Sequence, residues 1–422
     1  MKLPEYPKYK PSGVEWLGEV PEEWDRCRFS REVMIAEGQV DPEKAPFASM
    51  ILIGPEHVES RTGRLLETSS AAEQTAESGK YFCHKGNVVY SKIRPALRKV
   101  TLAPEDCLCS ADMYPLQPGR RFRSKYLFWL LLSEGFSAWS VLEADRVAMP
   151  KINRDTLNSL QMPVPSLSEQ DAVTDFLDRE TGKIDTLVAK KRTLVERLKE
   201  KRTALISRTV TRGLPPDAAR AAGLDPHPKL KPSGIDWLGD IPAHWEVVRI
   251  GKRIVLQRGV DITKDEQNEG AVPVVSSGGI ASFHDRFLAR GPGVVVGRKG
   301  TAGAVYYIEE DFWPHDTTLW VKEFFGNHPR YVYYKLLSMD LASFDTGSAN
   351  PTVNRNLVHP VLVSWPPKAE QRFIADFLDR EIAKMDRMIA VVESATDRLS
   401  EYRTALITAA VTGKIDVRGV RS

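Results

Sequence analysis

A pair of basic residues, Arg298 and Lys299, stands in a glycine-rich turn in the second half of the chain. This basic turn, residues 297–303 (GRKGTAG), directly follows the apolar run 294–296 (VVV), which is typical of a buried strand. Glycine lets a backbone approach a ligand closely, and backbone amides beside Arg and Lys side chains bind anions. The turn does not match the nucleotide-binding pattern G-x-x-x-x-G-K-[ST]. It therefore predicts contact with an anion, and a hairpin of solvated charges is the alternative.

Two further segments carry side chains suited to a nucleic acid. The serine turn, residues 276–279 (SSGG), offers the small hydroxyl side chains of Ser276 and Ser277, which can reach base edges. In the first half of the chain, a basic cluster follows the strand-like run 87–90 (NVVY) and occupies the place of the basic turn. Its members are Lys92, Arg94, Arg98 and Lys99. Arg and Lys contact phosphates and also hydrogen-bond guanine, so the residue types leave both roles open, with a solvated basic surface as the alternative.

The chain lacks the sequence patterns of several enzyme classes. It contains no G-x-S-x-G, H-E-x-x-H or C-x-x-C, and its eight histidines form no metal-binding pair. The four cysteines match no zinc pattern and suit a reducing compartment, where we expect them to be small buried residues; they are Cys27, Cys83, Cys107 and Cys109. We therefore expect a binding protein with no catalytic residue, no metal and no cofactor of its own.

Length and composition describe a globular protein of more than one domain. A chain of 422 residues exceeds one ordinary core, and 42% hydrophobic with 27% charged residues is typical of a folded, water-exposed protein. No apolar run approaches the ~18 residues that cross a membrane, so we expect no membrane contact and a cytoplasmic location. The net charge of +3 is small, and binding to a polyanion must depend on local clusters.

Two long helices are predicted to hold these segments. From residue 168 to residue 210, apolar residues recur every seven positions with Lys191 as the polar interruption, and the series returns 201 residues later. Leu187 and Leu194, three places after members of the series, are expected to complete the seam of a coiled coil. The predicted seam residues are Leu177, Ile184, Leu198, Leu205, Leu378, Met385, Val392, Leu399 and Leu406. The short linker between the helices favours an antiparallel pair, and packing of each helix on its own domain or on another protein is the alternative.

A second repeated block indicates a tandem duplication of the whole chain. Residues 11–21 (PSGVEWLGEVP) match residues 232–242 (PSGIDWLGDIP). The repeated block and the repeated helix flank a middle region that differs between the two halves, which suggests one scaffold that presents two different specificities. The predicted fold class is α+β, with two mixed α/β domains joined by two long antiparallel coiled-coil helices in a pseudo-twofold repeat. The predicted segments are the first α/β domain 1–166, the first helix 167–212, a linker 213–229, the second α/β domain 230–366, the second helix 367–413 and a tail 414–422.

This arrangement resembles the specificity subunit of type I restriction–modification enzymes. Two divergent domains are each followed by a long helix that begins near a Glu-Gln pair, at residues 169–170 and 370–371. The repeated block, the first residues of the basic turn (GRKG) and the segments 150–153 (PKIN) and 351–354 (PTVN) also resemble that family. The resemblance extends over nearly the whole chain.

The resemblance implies a DNA-reading subunit. Each α/β domain would be a target recognition domain that reads one half of a bipartite, asymmetric site in double-stranded DNA, and the helix pair would fix the spacer. Two modification (methyltransferase) subunits would bring S-adenosylmethionine, and restriction subunits would bring ATP-driven translocation and cleavage with Mg²⁺. The chain itself would catalyse nothing. The alternatives are a self-contained DNA-modifying or DNA-cleaving enzyme with unrecognised motifs, and a coiled-coil scaffold without a DNA role.

Overall fold

The chain divides into two compact units that share two long helices. The computed structural model describes residues 3–144, 150–345 and 351–420. Unit 1 comprises Met1–Arg192 with Ser394–Ser422, and unit 2 comprises Thr193–Glu393. Each unit therefore contains an α/β domain together with one part of each long helix. The division of the chain into six segments stays a prediction.

The elements of unit 1 are short strands and helices that lead into the first long helix. In chain order they are β1 (Tyr9–Pro11), β2 (Glu19–Pro21), β3 (Asp25–Arg28), α1 (Phe29–Glu32), β4 (Val33–Ile35), β5 (Leu52–Ile53), β6 (Tyr81–Cys83), β7 (Val88–Ser91), β8 (Val100–Leu102), β9 (Cys107–Cys109), β10 (Met113–Pro118), α2 (Ser124–Leu132), α3 (Glu134–Leu142), α4 (Arg154–Ser159), β11 (Gln161–Val164) and α5 (Leu167–Arg212). The residues of α5 after Arg192 belong to unit 2.

The core of unit 1 forms around an antiparallel sheet with the strand order β4-β10-β7-β8. All four residues of β7 are buried, as expected for a central strand covered on both faces. Helix α2 packs on this core and buries every residue from Tyr126 to Leu132. A second sheet, in the order β5-β9-β6, carries three of the cysteines. All four cysteines are buried and free, which agrees with the expectation that they are core residues.

The elements of unit 2 follow the end of α5. In chain order they are α6 (Pro216–Ala221), β12 (Leu230–Pro232), β13 (Asp240–Pro242), β14 (Glu246–Arg249), β15 (Val255–Arg258), β16 (Val272–Ser276), β17 (Gly279–His284), β18 (Gly293–Gly297), β19 (Val305–Ile308), β20 (Trp313–Pro314), β21 (Thr318–Glu323), α7 (Pro329–Leu337), α8 (Arg355–Val358), β22 (Leu362–Trp365) and α9 (Lys368–Val411). Helix α6 lies inside the stretch expected to be a linker. The residues of α9 from Ser394 onward belong to unit 1.

The central sheet of unit 2 repeats that of unit 1. Its strand order is β15-β21-β18-β19, and β18 is buried along its whole length, as β7 is in unit 1. A second sheet has the order β17-β16-β20. The duplication seen in the repeated block and the helices therefore extends to the sheets, whose sequences had diverged too far to show it.

The two long helices form an antiparallel pair, which confirms the predicted fold class. In unit 1 the carboxylate of Asp185 pairs with the guanidinium of Arg403 at 2.9 Å, and in unit 2 Arg202 pairs with Asp386 at 3.4 Å. Arg202 follows Asp185 by 17 residues, whereas Asp386 precedes Arg403 by 17, as antiparallel helices require. Among the described residues, no helix combines the length and apolar character needed to cross a membrane.

Burial along the helices distinguishes two neighbouring apolar stripes. Of the predicted seam residues, Leu177, Ile184, Leu198, Leu378, Met385 and Leu406 are buried, and Leu205, Val392 and Leu399 are half-buried. Leu187 and Leu194 are 44% and 45% exposed, so the prediction for these two leucines is wrong. Their neighbours Val188 and Val195 turn inward instead, the first half-buried and the second buried. Both stripes are apolar, and only the partner helix determines which one is covered.

Helix α5 begins with a capping box at Ser166, the residue just before its first residue, Leu167. The amide of Glu169 donates to the hydroxyl oxygen of Ser166, and the amide of Ser166 donates to the Glu169 carboxylate, both at 3.3 Å. The acidic residue of the Glu-Gln pair thus starts the helix as well as contacting the domain.

Candidate nucleic-acid interface

The basic turn leaves strand β18 and is held by backbone hydrogen bonds. The amides of Arg298 and Lys299 both donate to the carbonyl oxygen of Thr317, at 2.8 and 3.1 Å. The carbonyl oxygen of Arg298 accepts a hydrogen bond from the amide of Val353 at 3.0 Å. Lys299 is exposed and Arg298 is half-buried. Because the backbone holds the turn, both basic side chains remain available for a ligand.

The serine turn lies against the basic turn. The amide of Ser277 donates to the hydroxyl oxygen of Thr317 at 3.3 Å, and its carbonyl oxygen accepts from the hydroxyl of Tyr306 at 3.0 Å. The hydroxyl of Ser276 donates within the turn at 3.1 Å. A Cβ atom added to Gly300 would lie 3.2 Å from the Ser277 hydroxyl, so the two turns are in close contact. The structure thus brings together all four binding residues predicted in unit 2, around Thr317.

An ion-pair network sets the charge of this surface. Arg258 pairs with the carboxylate of Asp316 at 2.7 Å, and a guanidinium N–H of Arg298 reaches the Asp316 carbonyl oxygen at 3.5 Å. Burial, with repulsion from Arg258, lowers the pKa of Arg298, which nevertheless stays protonated at neutral pH. Burial alone would raise the pKa of Asp316, but the Arg258 hydrogen bond and neighbouring charges hold it below its ordinary value. The surface therefore keeps two cationic arginines beside the ionised carboxylate of Asp316.

The loop at residues 315–317 completes this surface and was missed by the sequence analysis. His315 lies between two carboxylates, 3.3 Å from Asp261 and 3.2 Å from Asp316. These three residues have the types and spacing of a metal site. However, Asp316 is already paired with Arg258, so we assign the group to holding the loop. Asp261 lies 54 residues before His315 in the sequence, so the three residues form no local pattern that sequence reasoning could have found.

The basic cluster of unit 1 has the same backbone anchor as the basic turn of unit 2. The carbonyl oxygen of Lys92 accepts from the amide of Ile152 at 2.8 Å, and the amide of Arg94 donates to the carbonyl oxygen of Pro150 at 2.8 Å. Lys92 therefore corresponds to Arg298, whose carbonyl accepts the equivalent amide 201 residues after Ile152. Lys92 is half-buried and Arg94 is exposed.

The other two members of the basic cluster direct their charges into the protein. Arg98 lies 3.7 Å from the carboxylate of Glu134 with 13% of its side chain exposed, and burial lowers its pKa. The amine of Lys99 donates to the carbonyl oxygen of Pro55 at 2.6 Å. Lys92 and Arg94 can therefore reach a ligand in solvent, whereas Arg98 and Lys99 are bound by other groups of the protein.

A tryptophan three residues after the repeated block contacts the Glu-Gln pair in each unit. The indole N–H of Trp24 donates to the carboxylate of Glu169 at 3.2 Å, and that of Trp245 donates to Glu370 at 3.0 Å. Both tryptophans are fully buried. This contact joins the start of each α/β domain to the start of the long helix that follows it.

The glutamines of the pair tie the same helix starts to the domain. The side-chain oxygen of Gln170 accepts from the amide of Arg123 at 2.8 Å, and its amide group donates to the carbonyl oxygens of Arg121 and Pro165 at 2.7 and 3.0 Å. Gln371 accepts the corresponding amide, at residue 328 just before α7, at 2.9 Å. The residues common to both halves thus join each α/β domain to its long helix, and we call this shared arrangement the frame. The residues that differ between the halves form the basic cluster of unit 1 and the basic turn of unit 2.

Comparison with known proteins identifies this frame. Residues 42–197 and 242–389 match the family described as the type I restriction modification DNA specificity domain. The chain belongs to this family. It carries two specificity domains in tandem, and each match includes most of an α/β domain and part of the long helix after it.

Individual relatives are similar to parts or to the whole of the chain. The chain is 33% identical over 171 residues to the EcoDI specificity subunit of Escherichia coli, which is 40% of this chain and 38% of that subunit. It is 20% identical to the putative MjaX specificity subunit of Methanocaldococcus jannaschii over 95% of this chain and 96% of that one. A solved chain from work on complex assembly and conformational transition of the type I R-M system has the same fold, with a TM-score of 0.68 at 16% identity over 94% of this chain and 99% of that one.

Proposed function

We propose that this chain is the DNA-reading subunit of a type I restriction–modification complex. Its two specificity domains would read the two halves of a bipartite, asymmetric site. The observation that carries the proposal is the matched anchoring of Lys92 and Arg298, which occupy one position in two copies of one fold. Because Lys92 and Arg298 occupy the same position but have different side chains, the two domains can read two different half-sites.

The structure supports a narrower choice of contact residues than the sequence did. In unit 2 we assign base or phosphate contact to Arg298 and Lys299, with Ser276 and Ser277 as neighbouring hydrogen-bonding groups. A guanidinium that donates two hydrogen bonds to guanine contributes about 1–3 kcal/mol of discrimination. In unit 1 we assign contact with DNA to the two residues with outward access, Lys92 and Arg94. Arg98 and Lys99, engaged by Glu134 and Pro55, would support that surface from behind.

We further propose that two modification subunits dock on the long helices. Leu187 in unit 1 and Met388 in unit 2 are 44% and 48% exposed and lie 201 residues apart, at equivalent places in the repeat. Each unit therefore offers one copy of the same exposed apolar position, which fits two copies of one partner. The partners would carry S-adenosylmethionine, and restriction subunits would bring ATP and Mg²⁺ chemistry to the assembly in the cytoplasm.

Methylome sequencing tests the proposal directly. A host that expresses this chain with its modification partner should show methylation at one bipartite sequence. Lys92→Ala should relax the sequence requirement in one half-site, and Arg298→Ala should relax it in the other. Arg372→Ala, which removes an arginine 76% exposed on α9, serves as the control and should leave both half-sites unchanged. Relaxation of both half-sites by either recognition variant would contradict the assignment of one half-site to each unit.

A self-contained enzyme is the rival from another functional class, and the family match does not favour it. The purified chain alone, incubated with DNA and either Mg²⁺ or S-adenosylmethionine, should neither cleave nor methylate it. Activity of the isolated chain would establish the rival. If Arg298→Ala and Lys299→Ala together left DNA recognition by the complex untouched, a scaffold without a DNA role would replace the reading proposed here.

A further inference from the structure

Arg403, near the end of α9, joins the helix pair of unit 1 to the α/β domain of that unit. The side chain is 6% exposed. Its guanidinium donates to both carboxylate oxygens of Asp185, at 2.9 and 3.2 Å, and to the carbonyl oxygens of Arg61 and Thr62, at 3.0 and 3.4 Å. The ring of Trp129 on α2 lies 5.7 Å from the guanidinium carbon. One buried cation thus links both long helices to a loop of the domain.

One further hydrogen bond connects this loop to the basic cluster. The amide of Arg61 donates to the carbonyl oxygen of Arg98 at 3.3 Å. Both residues have left-handed backbone conformations, with φ of 66° and 47°, which non-glycine residues adopt at a cost of about 1–2 kcal/mol. Contacts on both sides of the loop are therefore needed to hold this geometry, and Arg403 supplies two of them.

The link that Arg403 makes between the helices and the loop at residues 59–64 borders a cavity. This cavity of about 940 Å³ lies between the loop and the helices, within unit 1. Its rim consists largely of charged side chains, among them Arg64, Asp397 and Glu401. Exposed ion pairs contribute about 0–1 kcal/mol each, whereas a buried guanidinium with several acceptors is held far more firmly.

The counterpart of Arg403 in unit 2 is bonded differently. Arg202 pairs with Asp386 through its Nε at 3.4 Å, an ion pair without hydrogen-bond geometry, and 35% of its side chain is exposed. The basic turn of unit 2 is held instead by Thr317, from within its own domain. The link from helix pair to recognition surface is thus a feature of unit 1, although the arginine itself is repeated.

We propose that Arg403 is a positioning residue for DNA reading by unit 1. It sets the orientation of the basic cluster on the helix pair, and through that orientation it determines how strictly the half-site and its spacing are read. This inference rests on the proposed function. The residue touches no DNA in this account and acts through Arg61 and Arg98.

Methylation kinetics of the whole complex test the inference. Four duplexes are compared: the cognate site, a site altered in the half read by unit 1, a site altered in the other half, and a site whose spacer is one base pair longer. Lys92→Ala identifies which half belongs to unit 1. Arg403→Gln should lower the preference for the cognate site over the first altered site and over the long spacer by about tenfold, the size of one lost base contact. Discrimination in the other half should stay unchanged.

Two variants separate positioning from general destabilisation. Arg202→Gln, the repeat counterpart, should leave the preference for the cognate site over all three altered duplexes unchanged. Arg403→Lys keeps the charge beside Asp185 but cannot reach both loop carbonyls, so its ratios should fall between those of wild type and Arg403→Gln. If Arg403→Gln fails to assemble, the ratios of Arg403→Lys decide the question. Equal slowing on all duplexes, or a lower melting temperature with unchanged ratios, would overturn the inference. A wild-type complex without any sequence preference would remove the proposed function itself.

Discussion

Replacing Leu198 by aspartate should destabilise unit 2 far more than the same change at Leu194. The two leucines lie one helical turn apart on α5 in the same unit, but Leu198 is 8% exposed and Leu194 is 45% exposed. Loss of a buried leucine side chain costs about 2–5 kcal/mol, and an unpaired buried carboxylate adds at least about 1 kcal/mol. We therefore expect about 4 kcal/mol for Leu198→Asp. The exposed position should change the free energy of unfolding by less than about 0.5 kcal/mol.

Thermal melting of the purified full chain measures this difference. For 150–250 residues, 1 kcal/mol lowers the melting temperature by about 2–4 °C, so Leu198→Asp should lower it by about 8–16 °C. Leu194→Asp should lower it by at most about 2 °C on the same estimate. Circular dichroism at a helix-sensitive wavelength and calorimetry should agree on the midpoint. Equal melting of the two variants would refute the assignment of the covered stripe, and a larger effect at Leu194 would reverse it.

The remaining predictions concern a buried amine, a helix anchor and the partner surface. Lys335 is 1% exposed, and burial lowers its pKa to about 7. A lysine in the unfolded chain keeps its proton to about pH 10, so the free energy of unfolding should rise between pH 7 and 10 by up to about 1.4 kcal/mol per pH unit. Lys335→Met should abolish that slope in denaturant titrations. A slope that persists in the variant would belong to other titrating groups. Gln170→Ala removes three hydrogen bonds to backbone groups. Urea unfolding should show that unit 1 loses about 2–4 kcal/mol of stability. A loss below about 0.5 kcal/mol would show that water replaces the side chain. Leu187→Asp and Met388→Asp should each remove one modification subunit from the complex, seen by native mass spectrometry, without changing the melting of the chain; retention of both partners would place docking elsewhere.

The basic residues show how far local sequence predicts a binding surface. A basic pair in a glycine-rich turn after an apolar strand is a local pattern, and it correctly places Arg298 and Lys299 at the end of β18. The same reasoning could not separate Lys92 and Arg94 from the rest of their cluster. Arg98 and Lys99 are turned inward by Glu134 and Pro55, which stand far away in the sequence.

The loop around Thr317 shows what such reasoning omits. Thr317 receives the amides of both the basic turn and the serine turn, yet it is a threonine in no recognisable motif. Its importance follows from the order of strands, since β18 lies between β19 and β21 and the loop enters β21. That order was not derivable from one sequence, because short strands of similar composition pair in many ways.

Residue order alone established the duplication, the length and period of the two helices, and the positions of the basic turn and the basic cluster. Each of these depends on residues close together in the chain or on segments that repeat, so a reader of the sequence can compare them directly. Contacts between distant segments settled the rest: which apolar stripe the partner helix covers, which cations keep access to solvent, and why Arg403 and Arg202 differ although both stand at the same place in the repeat. The physical reason is that burial and hydrogen bonding of a side chain depend on whatever packs against it, and in this chain that is usually a residue far away in the sequence.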